Sequence, residues 1–154
     1  MEKRAETRRA QDFRFSCEIE PRFRDLDPMG HVNNAVYFTY FEIARTGYIR
    51  AIGHWPEDER PMSERFPFIL LKIECTYLSA ARVEERLRAH LRTSRVGTKS
   101  FEFDYLLTSG ADGRAVASGH SVQVFYDYAA GRTMPVSDDF RRLLEDYEGR
   151  TLTS

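Results

Sequence analysis

Cysteine is scarce in this chain, with two residues in 154, too few to staple a fold together. Cys17 and Cys75 stand far apart, and no His, Cys or acidic residue flanks them at metal-ligand spacing. Each reads as a small core residue kept reduced, and no metal site is expected. Long apolar runs are missing too. None approaches the roughly 18 residues of a membrane span, and the start lacks the apolar core of a signal peptide. The expectation is a cytoplasmic protein with no membrane partner. Nor does charge of one sign dominate. The 23 basic and 24 acidic side chains give a formal net charge of -1, without the broad basic field that nucleic acid demands. Lys3, Arg4, Arg8 and Arg9 do cluster, but Glu2 and Glu6 interrupt them ahead of the first patterned segment. Residues 1–12 therefore read as a flexible, solvated terminus rather than a nucleic-acid arm. A Gly-x-Ser-x-Gly elbow and a Gly-rich phosphate loop are also lacking, which disfavours an α/β serine hydrolase and a nucleotide-phosphate site.

What is present is enough apolar material, 42% of residues, for one ordinary core over residues 13–148. Residues 13–23 alternate, with Phe13, Phe15, Cys17, Ile19 and Phe23 on one face, as a strand with one wet side would. A turn follows at Asp25-Leu26-Asp27-Pro28-Met29-Gly30, where Pro28 fixes its own φ and pushes Asp27 toward an extended backbone. The spacing then predicts a helix over 34–52, capped by Asn33 or Asn34 and ended by Gly53. Thr39, Glu42, Thr46 and Arg50 form its narrow polar stripe, with Arg45 beside them; almost everything else on it is apolar. Such a helix must be covered on most of its circumference.

The polar stretch 54–65 reads as a loop. Strand patterns follow over 66–78, 83–94, 99–109 and 114–127, the last two joined by a hairpin turn at 110–113. Within 114–127 the apolar positions switch from odd to even at Gly119-His120, which predicts a β-bulge there. A tail helix after Pro135, capped by Ser137, presents Phe140, Leu143, Leu144 and Tyr147. Short links between the strands favour an antiparallel sheet, and one heavily apolar helix beside it gives an α+β layered class.

The segment Arg22-Phe-Arg-Asp-Leu-Asp27-Pro-Met-Gly30-His31-Val-Asn33-Asn34-Ala-Val-Tyr37, running on into Phe41-Glu42-Ile43-Ala44-Arg45, resembles the 4-hydroxybenzoyl-CoA thioesterase branch of the hotdog family. Ile73-Glu-Cys-Thr-Tyr77 and Arg95-Val-Gly-Thr-Lys99-Ser100-Phe101 extend the likeness, which covers roughly residues 13 to 140. The resemblance implies a hotdog fold, a curved antiparallel sheet of about five strands wrapped around one long central helix. It also implies cleavage of an acyl-CoA to a free acid and CoA, with no cofactor beyond the CoA of the substrate. The assembly it implies is a homodimer or homotetramer with active sites at the interface.

Catalysis by this reading falls to Asp27, His31 and Asn34. Asp27 ends a strand just before a helix whose first-turn amides lack intrahelical partners and sit at the positive end of the dipole. A carbonyl oxygen aimed there is polarised, much as anions are held at helix N-termini. Asp27 then attacks the acyl carbon or activates a water. Locally, an Asp before Pro also serves to accept a backbone hydrogen bond in its turn. His31 orients Asp27 or fixes the turn; Asn34 contributes its backbone N–H. Asp25 reads as a structural residue of the turn, because two ionised carboxylates that close oppose each other. Glu42 either pairs with Arg45 three residues on or supplies a second carboxylate. Thr98, Lys99 and Ser100 occupy a loop where relatives hold the CoA phosphates or pantetheine; a solvated turn is the plain alternative. Trp55 and Met62 either shape an acyl pocket or belong to an exposed connection. Two other activities remain open: hydration or dehydration of an acyl thioester, and non-catalytic acyl-CoA binding.

Overall fold

The computed structural model describes residues 8–153. Strand β1 spans Phe15–Ile19, shorter than the alternation over 13–23 suggests. Pro21 has no ladder donor to offer, and the Arg22 amide bonds to Asp25 Oδ2 at 2.9 Å, closing a 3-10 turn over Phe23–Asp25. Phe23, expected on the apolar face, is 85% exposed. Helix α1 covers Val36–Ala51. Its N-cap position is Ala35, without a side-chain cap, rather than Asn33 or Asn34. Asn33 instead forms the turn leading in, its carbonyl accepting from the Val36 amide at 3.0 Å and its side chain from the Ala35 amide at 3.0 Å. Gly53, at φ +92°, ends it. Tyr37, Tyr40, Phe41, Ala44, Tyr48 and Ile49 are buried, while Thr39, Glu42, Ile43, Thr46 and Arg50 form an open stripe.

The 54–65 stretch contains a short helix, α2 (Met62–Arg65), within the expected loop. Then come β2 (Phe68–Tyr77), β3 (Leu87–Val96), β4 (Ser100–Ser109), β5 (Ala115–Asp127), the two-residue β6 (Arg132–Thr133) and helix α3 (Asp138–Glu148). The spatial order is β1-β3-β4-β5-β2, every pairing antiparallel, with β6 attached to the end of β5. Five strands against one central helix is the hotdog arrangement that the resemblance implies.

The core is aromatic where helix meets sheet. Phe41 stacks on Tyr105 at 4.5 Å between ring centroids, and Tyr48 meets Phe103 edge-on at 5.2 Å. Burying one such ring contributes about 1.5–3 kcal/mol. The layers approach so closely that a Cβ on Gly119 would lie 2.6 Å from the Phe41 ring and 3.0 Å from the Glu74 carbonyl, so only glycine fits there. Helix α3 begins at Ser137, whose hydroxyl accepts from the Phe140 amide at 3.2 Å. It sends Phe140 onto Phe101 at 5.0 Å and Phe125 at 5.2 Å. Buried Glu148 locks its far end by accepting from Tyr48 at 2.6 Å and from the Thr93 amide at 2.9 Å.

Three local expectations need correction. The bulge in β5 lies at Val116, where Leu107 pairs with Ala117 and Thr108 with Ala115; Gly119 and His120 pair regularly with Tyr105 and Asp104. Odd positions therefore stay inward, and Ser121, Gln123 and Phe125 face the helix side. No Glu42–Arg45 ion pair forms among the described residues, because Arg45 turns in and donates to the Tyr105 hydroxyl at 3.2 Å. Of the flexible terminus expected over 1–12, residues 1–7 lie outside the described residues. From Arg8 onward the chain is tied down: Arg8 pairs with Asp104 at 3.0 Å, and Ala10–Asp12 form a 3-10 turn.

Candidate active site

The link from β1 to α1 is held from several sides. Leu26 and Val32 bridge, the Asp27 amide donates to the His31 carbonyl at 2.8 Å, and the Val32 amide to the Ala81 carbonyl at 2.8 Å. Beneath it sits Asp25, 2% exposed, accepting from the Arg22 guanidinium at 3.0 Å and from Tyr40 at 2.9 Å. Burial alone would raise the Asp25 carboxyl, but the Arg22 and Tyr40 hydrogen bonds outweigh it and hold the group below the usual carboxylate range. Asp25 is thus the structural residue its position suggested. Because its folded value is depressed, its contribution is complete above the unfolded value of about 3.9 and is lost as pH falls through the folded one. Asp25→Asn should cost about 1–3 kcal/mol in urea unfolding at pH 7, with the gap to wild type closing below about pH 4. An equal gap at both pH values would refute this.

Asp27 uses one oxygen for the loop itself. Its Oδ1 accepts from the Met29 amide at 2.9 Å and the His31 amide at 3.2 Å. Among the described residues Oδ2 has no partner, so the carboxylate is anchored through one oxygen and the other is uncommitted. His31 is tied to Asp27 only through its backbone, while its side chain lines the same cleft. Asn34 is close by. The amides of Asn33, Ala35 and Val36 are occupied, whereas the Asn34 N–H at the start of α1 has no acceptor among the described residues. Tyr77 of β2 donates to the Asn34 carbonyl at 2.7 Å and packs edge-on against Tyr37 at 5.0 Å, fixing that peptide. Asp27, His31 and Asn34 together line one cleft of about 330 Å³, closed by Val32, Tyr37 and residues 77–80.

The other expected residues are elsewhere. Thr98, Lys99 and Ser100 lie in the β3–β4 turn, closed by the Gly97 amide on the Ser100 carbonyl at 2.7 Å. Ser100 pairs with Val124, which pairs with Ile69, so this turn sits at the start of β2, whereas the Asp27 cleft sits at its end. Eight strand residues, about 26 Å, separate the two. A second cavity, of about 300 Å³, opens at the β2-start end between α1 and the sheet. Trp55 and Met62 do line it, with Phe66, Phe68, Phe101 and Phe103. Arg50 stacks over Trp55 at 3.9 Å and steadies that wall. Gln123, which the sequence pattern did not single out, lines it as well.

Thiol chemistry is disfavoured. Burial pushes Cys75 up to about 11 and Cys17 upward too, so neither is a thiolate near neutral pH. His54, His90 and His120 bond to the Arg65 carbonyl, Thr108 and Asp104, away from the cleft. Among the described residues no three His, Cys, Asp or Glu side chains group to hold a metal, and no helix is long and apolar enough to cross a membrane.

Known proteins share this fold. A thioesterase from Thermus thermophilus, solved with coenzyme A and Zn, superposes with a TM-score of 0.78 at 31% identity, over 91% of this chain and 98% of that one. The Bacillus subtilis (strain 168) protein YsmA is 28% identical over 132 residues, 86% of each chain. A 1,4-dihydroxy-2-naphthoyl-CoA thioesterase from Synechocystis matches with a TM-score of 0.75 over 86% of this chain and 96% of its own; at 15% identity, that likeness speaks for the fold alone. The model of the thioesterase-like superfamily matches residues 21–144, from the Asp27 loop through β2–β6 into α3, and the chain belongs to that superfamily of thioester hydrolases.

Proposed function

We propose that this thioester hydrolase acts on an acyl-CoA, releasing the free acid and CoA, with Asp27 as its reactive carboxylate. The observation that carries the reading is the cleft where Asp27, His31 and Asn34 meet. Oδ1 holds the loop, so Oδ2 is presented without a search, either to the acyl carbon or to a water. The Asn34 N–H, at the electropositive tip of α1, polarises the thioester oxygen. CoA is supported as the carrier by the Thermus relative, which was solved with it. Thr98, Lys99 and Ser100 are proposed to hold its phosphates or pantetheine arm.

The working unit is proposed to be a homodimer, or a homotetramer built from it. Strand β2 is an uncovered edge with Leu70, Leu71, Tyr77 and Leu78 exposed, and an open edge of that length invites a partner. Two β2 strands paired antiparallel about their middles set Phe68 of one copy across from Tyr77 of the other. Each Asp27 cleft then adjoins the aromatic cavity and the 98–100 turn of its neighbour. That pairing closes the gap of about 26 Å.

A panel of acyl-CoAs mixed with the protein and a thiol reagent tests the activity, and at least one should release free thiol. Loss of conjugated enoyl absorbance without thiol release would identify a hydratase instead. Tight binding without either change would leave a non-catalytic module.

A further inference from the structure

We propose that Gln123 determines acyl specificity by bonding to a hydroxyl on an otherwise apolar acyl group seated in the aromatic cavity; this rests on the acyl-CoA reading above. On the sheet side that cavity is walled by Phe68, Leu70, Phe101, Phe103 and Gln123, so the amide is the single polar interruption. Gln123 is 3% exposed. One end of its amide bonds to the Ser121 hydroxyl, and among the described residues the other end has no partner. Ser121 is itself engaged by Tyr105 at 2.7 Å, and Tyr105 receives the Arg45 guanidinium at 3.2 Å. A continuous chain from the helix to β5 therefore fixes the amide in place.

A buried polar group without a partner opposes folding, whereas a methionine or leucine would fill the same space among phenylalanines at no such cost. A ligand that supplies the missing bond removes the penalty. A hydroxyl both donates and accepts, so it satisfies the free end of the amide whether that end is the oxygen or the nitrogen. Glu42, Arg45 and Thr46 line the α1 side of the cavity. Arg45 is engaged by the Tyr105 hydroxyl, so among the described residues the Gln123 amide is the buried polar group of this lining that lacks a partner. Size agrees: an apolar cavity of about 150 Å³ holds benzene, and this one is about 300 Å³. It has room for a hydroxylated ring or a short hydroxylated chain.

The test uses two matched pairs of CoA thioesters, phenylacetyl with 4-hydroxyphenylacetyl and hexanoyl with 6-hydroxyhexanoyl. Non-hydrolysable thioether analogues of all four are titrated in parallel. Wild type should favour the hydroxylated member of at least one pair by about tenfold or more, in kcat/KM and in Kd. In Gln123→Met, or Gln123→Leu should the first fold poorly, that ratio should fall to about one. Which pair responds tells ring from chain. Equal Kd within both pairs on wild type overturns the proposal without any variant, as does a ratio unchanged by either substitution. If none of the thioesters is cleaved, the hydrolase reading fails while the thioether titrations still decide the role of Gln123.

Discussion

Replacing Asp27 with Asn is expected to lower turnover at least about a hundredfold while leaving the fold intact. The asymmetry of the carboxylate is the reason. Asn keeps an oxygen that can accept from the Met29 and His31 amides, so the loop retains its shape. What it loses is the charge, and with it the capacity to attack a thioester or deprotonate a water. Asp27→Ala removes both, and should add a stability loss of about 1–2 kcal/mol to the same kinetic defect. The pair of variants separates chemistry from scaffolding. Turnover of Asp27→Asn within threefold of wild type would remove Asp27 from the mechanism.

Mixing two inactive variants should restore activity if the site is shared between copies. Thr46 lies on the open stripe of α1 and lines the aromatic cavity. Thr46→Trp should obstruct that cavity without entering the core. In a two-fold dimer of Thr46→Trp with Asp27→Ala, one site combines the intact Asp27 of the first chain with the intact cavity of the second. The other site carries both defects. Random exchange makes about half the dimers mixed, each with one working site, so about a quarter of wild-type activity should return. The readout is thiol release after the two proteins are unfolded and refolded together. Recovery below a few per cent would mean that Asp27 and the cavity of one chain do not serve the same site across the interface.

The fold could be read from the chain wherever apolar spacing is uninterrupted. Helix α1, its Gly53 stop and the Ser137-capped tail helix were all visible in the pattern. Reading failed where the interior is not oily. Val122, Val124 and Tyr126 drew the inward face of β5 onto even positions, but Ser121 and Gln123 sit inside because a polar chain and a cavity receive them. Phe125, buried and odd-numbered, was the sign that parity does not change at Gly119-His120. Phe23 failed for the opposite reason: alternation continued past Pro21, although the ladder had already stopped. That Asp27, His31 and Asn34 would lie together was legible because one short segment carries all three. Gln123 was not, since a lone amide in a strand leaves no trace until its neighbours are known.

The bulge at Leu71 has a consequence for colloidal behaviour. It interrupts the register of β2 between Leu70 and Lys72 and leaves the leucine 66% exposed in the middle of the uncovered edge. A bulge twists an edge away from arbitrary strands, so pairing outside the proposed two-fold dimer is disfavoured. Once two such edges have met, the rims that remain belong to five-residue β1, too short to seed a fibre. Polymer growth would stop at a closed particle, and the species most prone to precipitate would be the dilute, unmated chain. Thermal scans should then show a midpoint that climbs with protein concentration.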